Sequence, residues 1–510
     1  MKNSSVLPLV LWFASFATFL PLRADYPIAS HRHLADPGSL VHEGRVYLYC
    51  SNDNDSPLGG GYAMQSIVCV SSRDLKNWTD HGEIFRVPVN ASWATYSWAP
   101  AVIARNGHFY LYFGNGGSGI GVATSASPTG PFTAATGGTL INASTPGASG
   151  PNMWLFDPAV FLDDDGQAYL YFGGNGDANA RVIKLNSDMI SVSGPALAMT
   201  VPNFFEASWL HKRNGVYYFS YSTNPANGLR IDYLTSSSPT SGFVYRGIAA
   251  GQPPSNNNNN HHAIFSLNGS WYHAYHNRYV ATQAGIATTY RRNLGLERLE
   301  HNGDGTLQPI TYATNSLTQL LSVDPFTRNE AEAFNAQSGI ATGTCSEGGM
   351  AITEVTNGTW IKVAGVDFGS TGAGKFNVRV ASATSGGIIE LRLDNHSTGP
   401  LIGTCSVAGT GGWQTWTTVS CAITVATGVH DLFLKFTGGS SPLMSLNSWQ
   451  FDPSSSSGPT APSSPSTGSN TPAASGGSSG GGAPSLWFIS TLCAISGLRI
   501  LVRKRLRSLP

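Results

Sequence analysis

The chain has 510 residues, which is long enough for two or three domains. Charged residues make up only 11% of it, and 29 Lys and Arg residues balance 29 Asp and Glu residues, so the chain lacks the positive charge that nucleic-acid binding requires. Its 59 glycines and 11% aromatic residues are typical of an all-β protein with many turns.

The first residues predict a secretory signal peptide over residues 1–24. Lys2 supplies a basic start, residues 6–20 form a mostly apolar core, and cleavage is expected near Ala24, although Leu22 is larger than the residue usually found at its place. A buried first strand is the alternative, but a charge followed by an apolar run at the very start favours export. Export would place the chain where disulfides form.

A Gly followed by a Tyr three residues later recurs five times in β-rich runs. The copies are roughly 50 to 60 residues apart, which is typical of the blades of a propeller. The pattern therefore predicts a five-bladed β-propeller over residues 25–325. The copies are Gly44-Arg-Val-Tyr47, Gly107-His-Phe-Tyr110, Gly166-Gln-Ala-Tyr169, Gly215-Val-Tyr-Tyr218 and Gly269-Ser-Trp-Tyr272.

A chemically useful residue lies shortly before the Gly of each repeat. Equivalent positions of successive blades meet at the central axis of a propeller, so these residues are expected to share one pocket. Two Asp, one Glu, one His and one Trp in a pocket indicate a carboxylate-based hydrolase. The residues are Asp36, Trp98, Asp157, Glu206 and His261.

Hydrolysis of a glycosidic bond needs a general acid and a general base, and two carboxylates can supply them. Asp36 and Asp157 each precede a proline, where an Asp can simply start a turn. Their equivalent places in the repeat favour a catalytic role instead. Glu206 follows Phe204 and Phe205, and apolar neighbours raise the pKa of a carboxyl group, as a general acid requires.

The remaining chain predicts a second domain and a tail. Residues 330–452 contain short strands in which apolar and polar residues alternate, which predicts a β-sandwich of the jelly-roll type. Residues 453–484 are a Ser/Gly/Pro-rich linker that cannot bury a core. Residues 485–510 are apolar with a basic end, which indicates a membrane or cell-surface anchor or an anchor signal; an incidental tail is the alternative.

The cysteines of an exported chain are expected to form disulfides. Cys405 and Cys421 flank a hairpin-like stretch and are predicted to pair. Cys50 and Cys69 are expected to pair across neighbouring strands of the first blade. No partner is assigned to Cys345 or Cys493.

Asparagine occurs in two informative settings. Several Asn-X-Ser/Thr sequons are compatible with glycosylation in a eukaryotic secretory pathway. The run Asn256–Asn260 directly precedes His261 and His262 and is either part of the pocket rim or a solvated linker. The sequons lie at Asn77, Asn90, Asn142, Asn268, Asn357 and Asn395.

Residues 25–325 resemble a family 43 glycoside hydrolase. The resemblance implies a five-bladed propeller with inverting chemistry and no cofactor for catalysis. It also implies that Asp36 is the general base, that Glu206 is the general acid, and that Asp157 tunes the acid and holds the substrate. The matching motifs are Asp36 in Ala-Asp-Pro-Gly, Trp98-Ala-Pro, Asp157-Pro, Glu206-Ala-Ser, His261-His-Ala-Ile-Phe, Tyr275-His-Asn-Arg278, and Arg292 before Gly303-Asp-Gly-Thr.

The same resemblance implies roles for further residues of the pocket. Trp98 is expected to bind substrate, and Arg292 matches a sugar-contacting arginine, with Arg291 as the alternative. His261 matches a position that helps to hold a central metal ion or water cluster in several members of the family. For His261 and His262, a hydrogen-bonded core histidine is the alternative to metal binding.

Residues 330–452 resemble a family 6 carbohydrate-binding module. The resemblance implies a structural calcium ion held by Glu330, Glu332 and Asp452, and calcium prefers such oxygen ligands. It also implies a sugar cleft lined by Trp413 and Asn447, with Glu347 as a further candidate, while Trp360, Trp416 and Trp449 are expected in the core. Val363 stands where the family often has the Tyr that forms the other side of the cleft. The matching motifs are Glu330-Ala-Glu332, Thr359-Trp-Ile-Lys, Val366-Asp-Phe-Gly, Gly411-Gly-Trp-Gln-Thr-Trp416 and Asn447-Ser-Trp-Gln-Phe.

The two resemblances together predict a secreted, surface-tethered glycosidase that acts on plant hemicellulose. The pairing of the two domains favours release of α-L-arabinofuranosyl groups from arabinoxylan. β-Xylosidase and endo-arabinanase activities are alternatives within the same fold. A catalytically silent propeller that only binds sugars is an alternative of another class.

Overall fold

The computed structural model describes residues 27–454 except 59, 225, 227, 257, 313–316 and 441. The regular structure of these residues is almost entirely β, as predicted, with five antiparallel sheets followed by a two-sheet sandwich. The predicted signal peptide, the linker beyond residue 454 and the apolar tail with Cys493 lie outside the described residues. In the described part of the chain, no helix is long and apolar enough to cross a membrane.

Residues 34–299 form the five sheets, and strands that are neighbours in each sheet follow one another in sequence. A short helix, α1 (Tyr279–Gln283), interrupts only the fifth sheet. The strands of the first three sheets are β1 (Leu34–His42), β2 (Arg45–Asn52), β3 (Ser66–Ser72), β4 (Trp78–Arg86), β5 (Trp98–Arg105), β6 (His108–Gly114), β7 (Ile120–Ser125), β8 (Thr133–Ala134), β9 (Ala159–Leu162), β10 (Ala168–Phe172), β11 (Ala180–Leu185) and β12 (Val192–Met199). Those of the last two are β13 (Phe204–Arg213), β14 (Val216–Thr223), β15 (Ile231–Ser236), β16 (Val244–Ala250), β17 (His262–Leu267), β18 (Ser270–Asn277) and β19 (Asn293–Leu299).

The Gly of each sequence repeat lies in the hairpin between the first two strands of its sheet. In four of the hairpins the loop has two residues, and the residue before the Gly has a φ of 49° to 52° while the Gly has a φ of 70° to 78°. Positive φ at both positions defines the type I′ turn, whose twist matches that of paired strands. The residues before the Gly are Glu43, Asn106, Asn214 and Asn268.

The first strand of each sheet contacts the first strand of the next. The contacts run from β1 through β5, β9 and β13 to β17, and β17 in turn contacts β1. Near the start of four of these strands a non-glycine residue adopts a left-handed conformation, with φ between 46° and 59°. The ladder register shifts beside three of them. Such bulges turn side chains away from the regular alternation of a strand. The left-handed residues are Asp36, Ala99, Asp157 and Ala207.

Residues 329–453 form a sandwich, as predicted. One sheet has the order β23-β24-β31-β26-β29, with β20 also paired to β31, and the other has the order β22-β25-β30-β27-β28. They enclose one apolar core that includes Phe376, Leu434 and Trp449. The strands are β20 (Asn329–Glu330), β21 (Ala333–Phe334), β22 (Ala336–Ser338), β23 (Ala341–Thr344), β24 (Met350–Val355), β25 (Trp360–Asp367), β26 (Ala373–Ser382), β27 (Gly387–Leu393), β28 (Leu401–Val407), β29 (Gly412–Ala426), β30 (Val429–Thr437) and β31 (Met444–Pro453).

The structure confirms one predicted disulfide and shows that the other is wrong. Cys405 and Cys421 are bonded and link β28 to β29. Cys50 and Cys69 are both free and buried. Cys50 lies opposite Val68 rather than opposite Cys69. Because side chains alternate between the faces of a sheet, this offset of one residue places the two thiols on opposite faces.

Strand β21 joins the sandwich segment to the first sheet, where it pairs with β4. The Asn77 side chain extends this joint, because its Oδ1 accepts the Ala364 N–H at 2.8 Å and its Nδ2 donates to the Ala364 carbonyl at 2.9 Å. Thr342 of the sandwich donates to the buried Asp80 carboxylate at 2.6 Å, which Arg32 also contacts at 2.6 Å. The sandwich is therefore fastened to the first sheet by backbone pairing and by buried polar contacts.

Candidate active site

The starts of the first strands of the five sheets surround one cavity of about 330 Å³. This cavity brings together every site residue that the sequence predicts in the five-sheet region. Two of the acidic residues lie at the left-handed bulge positions, and Glu206 directly precedes another. The predicted residues in its lining are Asp36, Trp98, Asp157, Glu206, His261 and Arg292.

Asp36 is buried beside positive charge. Its carboxylate forms a salt bridge with Arg292 and lies 3.3 Å from His276 Nδ1. Arg292 is itself held by Asp53 through Nη2 at 2.8 Å and Nε at 2.9 Å. Burial opposes ionisation of Asp36, but the positive charge of Arg292 favours it, and the pKa is held below its usual value. Asp36 is therefore an ionised carboxylate that can accept a proton.

Asp157 and Glu206 are buried without a cation of their own. Asp157 Oδ2 accepts the Ala207 N–H at 3.0 Å, which fixes the backbone next to Glu206. Burial, together with the charge of Asp36, raises the pKa of Asp157 to about 8. Burial and the neighbouring Asp157 raise the pKa of Glu206 well above its usual value. The cavity thus holds an ionised carboxylate and a protonated carboxylic acid at neutral pH, the pair that acid–base catalysis needs.

The two consecutive histidines lie in different surroundings. His261 faces the cavity, with Nδ1 at 3.6 Å from Asp157 Oδ2, and burial lowers its pKa to about 4, so it is neutral. His262 is buried in β17 against Ser220 Oγ at 2.6 Å. Within the described residues, no group of three His, Cys, Asp or Glu side chains is arranged to hold a metal ion.

The ambiguity between the two consecutive arginines is resolved by their contacts. Arg292 lines the cavity and pairs with Asp36, whereas the Arg291 guanidinium donates to main-chain oxygens, including that of Ser56 at 2.7 Å. Asp53, which positions Arg292, has no repeat or motif signal in the sequence. Only the three-dimensional structure brings it to a residue more than 200 positions away.

An aromatic wall forms much of the cavity and was not predicted as such. Trp154 lies edge-on to Phe156 and Phe205 with ring centroids 5.4 Å apart in each pair. Tyr62 packs under the Arg292 guanidinium at 4.8 Å. Aromatic faces suit the apolar faces of sugar rings. Phe156 and Phe205 could have been predicted in the cavity, because each directly precedes a predicted acidic residue. No sequence feature pointed to Tyr62.

The asparagine run forms part of the pocket rim. Asn258 and Asn259 line the cavity together with Glu206. Asn258 Nδ2 donates to the Tyr62 hydroxyl at 2.9 Å. The sequence left open whether this run is a rim or a linker, and the structure favours the rim.

The predicted sugar cleft of the sandwich is partly assembled from polar contacts. Asn447 Nδ2 donates to Glu347 Oε2 at 2.9 Å, and Glu347 forms a salt bridge with Arg379. The neighbouring Ser346 N–H donates to Gln414 at 2.8 Å, which ties this loop to the strand that carries the half-buried Trp413. Trp449 is buried as predicted, but Trp360 and Trp416 are only partly buried, so a core role for those two is wrong.

The three carboxylates of the expected calcium site are not collected in one place. Glu330 pairs with Arg328, and Glu332 is buried with an Oε2 atom that has no hydrogen-bond partner. Burial raises the pKa of Glu332 to about 9. Asp452 instead contacts Lys375 at 3.2 Å and Asn377 at 2.9 Å. Glu330 and Asp452 thus each have a cationic partner, whereas the Oε2 atom of Glu332 is the one carboxylate oxygen of the three that is buried without a hydrogen-bond partner.

Comparison with known proteins gives matches over both regions. The model of glycosyl hydrolases family 43 matches residues 25–307, and that of carbohydrate binding module family 6 matches residues 330–453. The chain is 42% identical to an arabinoxylan arabinofuranohydrolase of Paenibacillus polymyxa, over 84% of this chain and 74% of that protein. It is also 42% identical to one of Bacillus subtilis (strain 168), over 83% and 92% respectively. The crystal structure of a family 43 arabinoxylan arabinofuranohydrolase from Bacillus subtilis in complex with cellotetraose is 41% identical, with a TM-score of 0.79 over 84% of this chain and 98% of that chain.

Proposed function

Since the chain belongs to family 43 of the glycosyl hydrolases, we propose that it releases α-L-arabinofuranosyl groups from arabinoxylan with inversion of configuration. The observation that carries this proposal is the pairing of an ionised Asp36 with a protonated Glu206 in one aromatic-walled cavity. The names and 42% identity of the relatives support the choice of sugar and polymer. A binding propeller without catalysis would have no need for two carboxyl groups with opposed proton affinities.

In the proposed mechanism, Asp36 is the general base and Glu206 the general acid. Arg292 keeps Asp36 ionised. The Asp36 carboxylate can therefore take a proton from a water molecule while that water attacks the anomeric carbon. Glu206 gives its proton to the leaving oxygen of the xylan chain as the glycosidic bond breaks. Asp157 accepts the Ala207 N–H, which fixes the backbone beside Glu206, and its ionised form raises the pKa of Glu206. The aromatic wall contacts the sugar and excludes water from the bond that breaks.

The five sheets of residues 34–299 are the blades of a closed five-bladed propeller in this proposal. The contacts among the first strands support closure. They run in order from β1 to β17, and β17 contacts both β13 and β1, which completes the ring. The meeting of residues from all five repeats around one cavity supports it further.

The sandwich holds the polymer through the cleft around Trp413, Asn447 and Glu347. The match to a family 6 carbohydrate-binding module supports this role. If it is correct, Trp413→Ala will weaken retention on insoluble arabinoxylan while turnover of an aryl arabinofuranoside stays the same. Equal retention would place the binding surface elsewhere in the domain.

A calcium ion would be held at Glu330 and Glu332 and would support the sandwich structurally. The unpartnered Oε2 of buried Glu332 supports this site, because a cation would give that atom a partner. Adding calcium to chelator-treated protein should raise the unfolding temperature, and Glu332→Gln should remove the effect. An equal response of the variant would exclude this site.

Secretion followed by retention at the cell surface is the proposed location. The Cys405–Cys421 disulfide supports an oxidising compartment, and the composition of residues 485–510 supports an anchor. A protein that ends at Pro453 should be released and remain active. Release of the full-length protein at full mass would exclude the anchor.

The experiment that tests the activity compares four substrates. The purified protein is incubated with arabinoxylan, linear arabinan, an aryl arabinofuranoside and an aryl xyloside, and the released sugars are identified. The proposal expects arabinose from arabinoxylan without shortening of the xylan chain. Xylose as the main product, or fragments of arabinan, would instead assign one of the two alternative activities.

A further inference from the structure

Arg278 is a buried cation next to the active site, and its partners are neutral. The residue is 1% exposed. Its guanidinium donates to Asn256 Oδ1, to Asn259 Oδ1 at 2.9 Å, to the Thr289 carbonyl at 3.0 Å and to the Tyr62 hydroxyl at 3.2 Å. Burial lowers the pKa of Arg278. Burying a charged group whose partners are all neutral lowers the stability of the protein. The position of Arg278 therefore suggests a functional role.

The contacts of Arg278 determine how the Asn259 amide is oriented. A guanidinium can only donate hydrogen bonds, so the amide oxygen of Asn259 must face Arg278. The amide nitrogen is then directed to the other side, where the Asn259 side chain lines the same cavity as Glu206 and lowers the pKa of its carboxyl group, as a nearby N–H donor does. An asparagine without this constraint could present either end of its amide group.

The main chain of Asn259 supports the opposite side of the active site. Its carbonyl oxygen lies 3.1 Å from His276 Nε2, and His276 Nδ1 accepts the Asp36 N–H at 3.2 Å. If Nδ1 is the acceptor, Nε2 carries the hydrogen and donates it to Asn259. Asn259 therefore shares the cavity with Glu206 through its side chain, and its carbonyl group contacts His276, which in turn contacts Asp36.

We propose that Arg278 is a positioning residue that holds the Asn259 amide group with its N–H donors turned towards the carboxyl group of Glu206. This inference deepens the proposed function and rests on the role of Glu206 as general acid. The groups that face Glu206 act in two directions. Burial, Asp157 and Asp36 raise its pKa, while Arg292 and Asn259 lower it. Arg278 thus prevents the acid from holding its proton too tightly to give it up.

The test uses the alkaline limb of the pH profile of kcat/KM on arabinoxylan oligosaccharides. This limb reports loss of the proton from the general acid. In Asn259→Ala and in Arg278→Met, Glu206 loses a donor to its ionised form, so the limb should move to higher pH by about one unit. Because Arg278 acts through Asn259, the double variant should shift no further than Asn259→Ala alone.

Two further variants separate positioning from charge and from general disturbance. Arg278→Lys keeps the charge but loses the planar fork that spans two amides, so it should shift the limb in the same direction by a smaller amount. Arg291→Met removes a neighbouring arginine whose partners are main-chain oxygens, and its limb should not move. If Arg278→Met does not fold, Arg278→Lys and Asn259→Ala provide the same comparison.

The proposal is overturned if folded Arg278 variants keep the alkaline limb of the unaltered enzyme, or if the shifts of the two single variants add in the double variant. Failure of the underlying function would look different. In that case Glu206→Gln would retain full activity on natural leaving groups, whatever the Arg278 variants do.

Discussion

At the residue scale, environment rather than residue type separates the roles of the three acidic side chains. All three are buried in the same cavity, yet only Asp36 has a guanidinium against its carboxylate. Asp157 and Glu206 are left with each other and with Asp36 as charged neighbours, which favours their protonated forms. A single arginine, Arg292, therefore decides which carboxyl group is the base.

Replacing the two principal carboxyl groups should give different substrate dependences. Asp36→Asn removes the base, so kcat/KM should fall by roughly 10²–10⁴-fold on every substrate. Glu206→Gln removes the acid and should cause a comparable loss only on natural leaving groups, because an activated aryl leaving group needs little protonation. Steady-state kinetics on arabinoxylan oligosaccharides and an aryl arabinofuranoside check this. Equal losses for Glu206→Gln on both substrates would contradict its role.

Asp157 should control the proton affinity of Glu206. Above its pKa of about 8, Asp157 is a negative neighbour of Glu206; Asp157→Asn removes that charge, so the pKa of Glu206 falls and the acid is deprotonated at lower pH. The alkaline limb of kcat/KM should therefore move to lower pH by about one unit, opposite to the Arg278 variants. Asp164→Asn is the control, since Asp164 is 87% exposed in a turn. A shift of Asp157→Asn to higher pH would refute the assignment.

The residues of the catalytic cavity were largely predictable, because the repeat places chemically distinctive side chains at equivalent positions. Asp53 and Tyr62 were not, since both follow β2 outside the repeated positions and meet Arg292 only after folding. The contact between Asp452 and Lys375 was not predictable either, because the pairing of β26 with β31 brings the two residues together only after folding.

At the element scale, the hairpin between the first and second strands of each sheet fixes where the first strand ends and how the two strands pair. Type I′ turns fix the pairing register, and register decides which side chains reach the cavity. Dipeptides such as Asn106-Gly107 are readable in sequence for this reason. The bulges at Ala99 and Ala207 are not, because alanine carries no signal for a left-handed conformation. The predicted pairing of Cys50 with Cys69 failed because the strand register could not be read from the sequence. An error of one residue in register moves a side chain to the opposite face of the sheet.

A turn glycine should be more costly to replace than a loop glycine. Gly107 has a φ of 76°, so Gly107→Ala should lower the free energy of unfolding by about 1 kcal/mol. A Cβ added at Gly137 would meet no atom within 4 Å, and Gly137 has no left-handed φ, so Gly137→Ala should leave stability nearly unchanged. Urea unfolding of the two variants checks this. A Gly107→Ala protein as stable as its control would mean that the turn is not of this type.

At the scale of the whole molecule, the sandwich is attached to the first sheet rather than merely connected to it. Phe334 pairs with Trp78, and Asn77 closes two hydrogen bonds with Ala364. The sequence predicted both domains but not this joint, because β21 has only two residues and its partner strand lies about 250 positions earlier. The joint holds the two sugar-handling regions in one body.

Asn77 should be essential to this joint despite its sequon. The residue is 9% exposed and its Nδ2 atom is occupied by Asp74 and Ala364, so protein secreted from a eukaryotic host should carry no glycan there. Asn77→Ala leaves the buried Ala364 N–H unpaired, while the Ala364 carbonyl keeps the Gln319 amide at 3.0 Å, and should destabilise the protein by about 1 to 3 kcal/mol. Asn142→Ala, at an exposed sequon, should not. Glycopeptide mass spectrometry and urea unfolding test the two statements, and a folded protein glycosylated at Asn77 would contradict the joint.

The central claim is that Asp36 acts on water while Glu206 protonates the leaving group, and the configuration of the first product tests it most directly. An aryl α-L-arabinofuranoside is hydrolysed in an NMR tube, and the anomeric proton of arabinose is followed before mutarotation. A base that acts on water delivers it to the face opposite the leaving group, so the account predicts that the β anomer forms first. First formation of the α anomer would mean that a carboxylate attacks the sugar itself, and it would contradict the account.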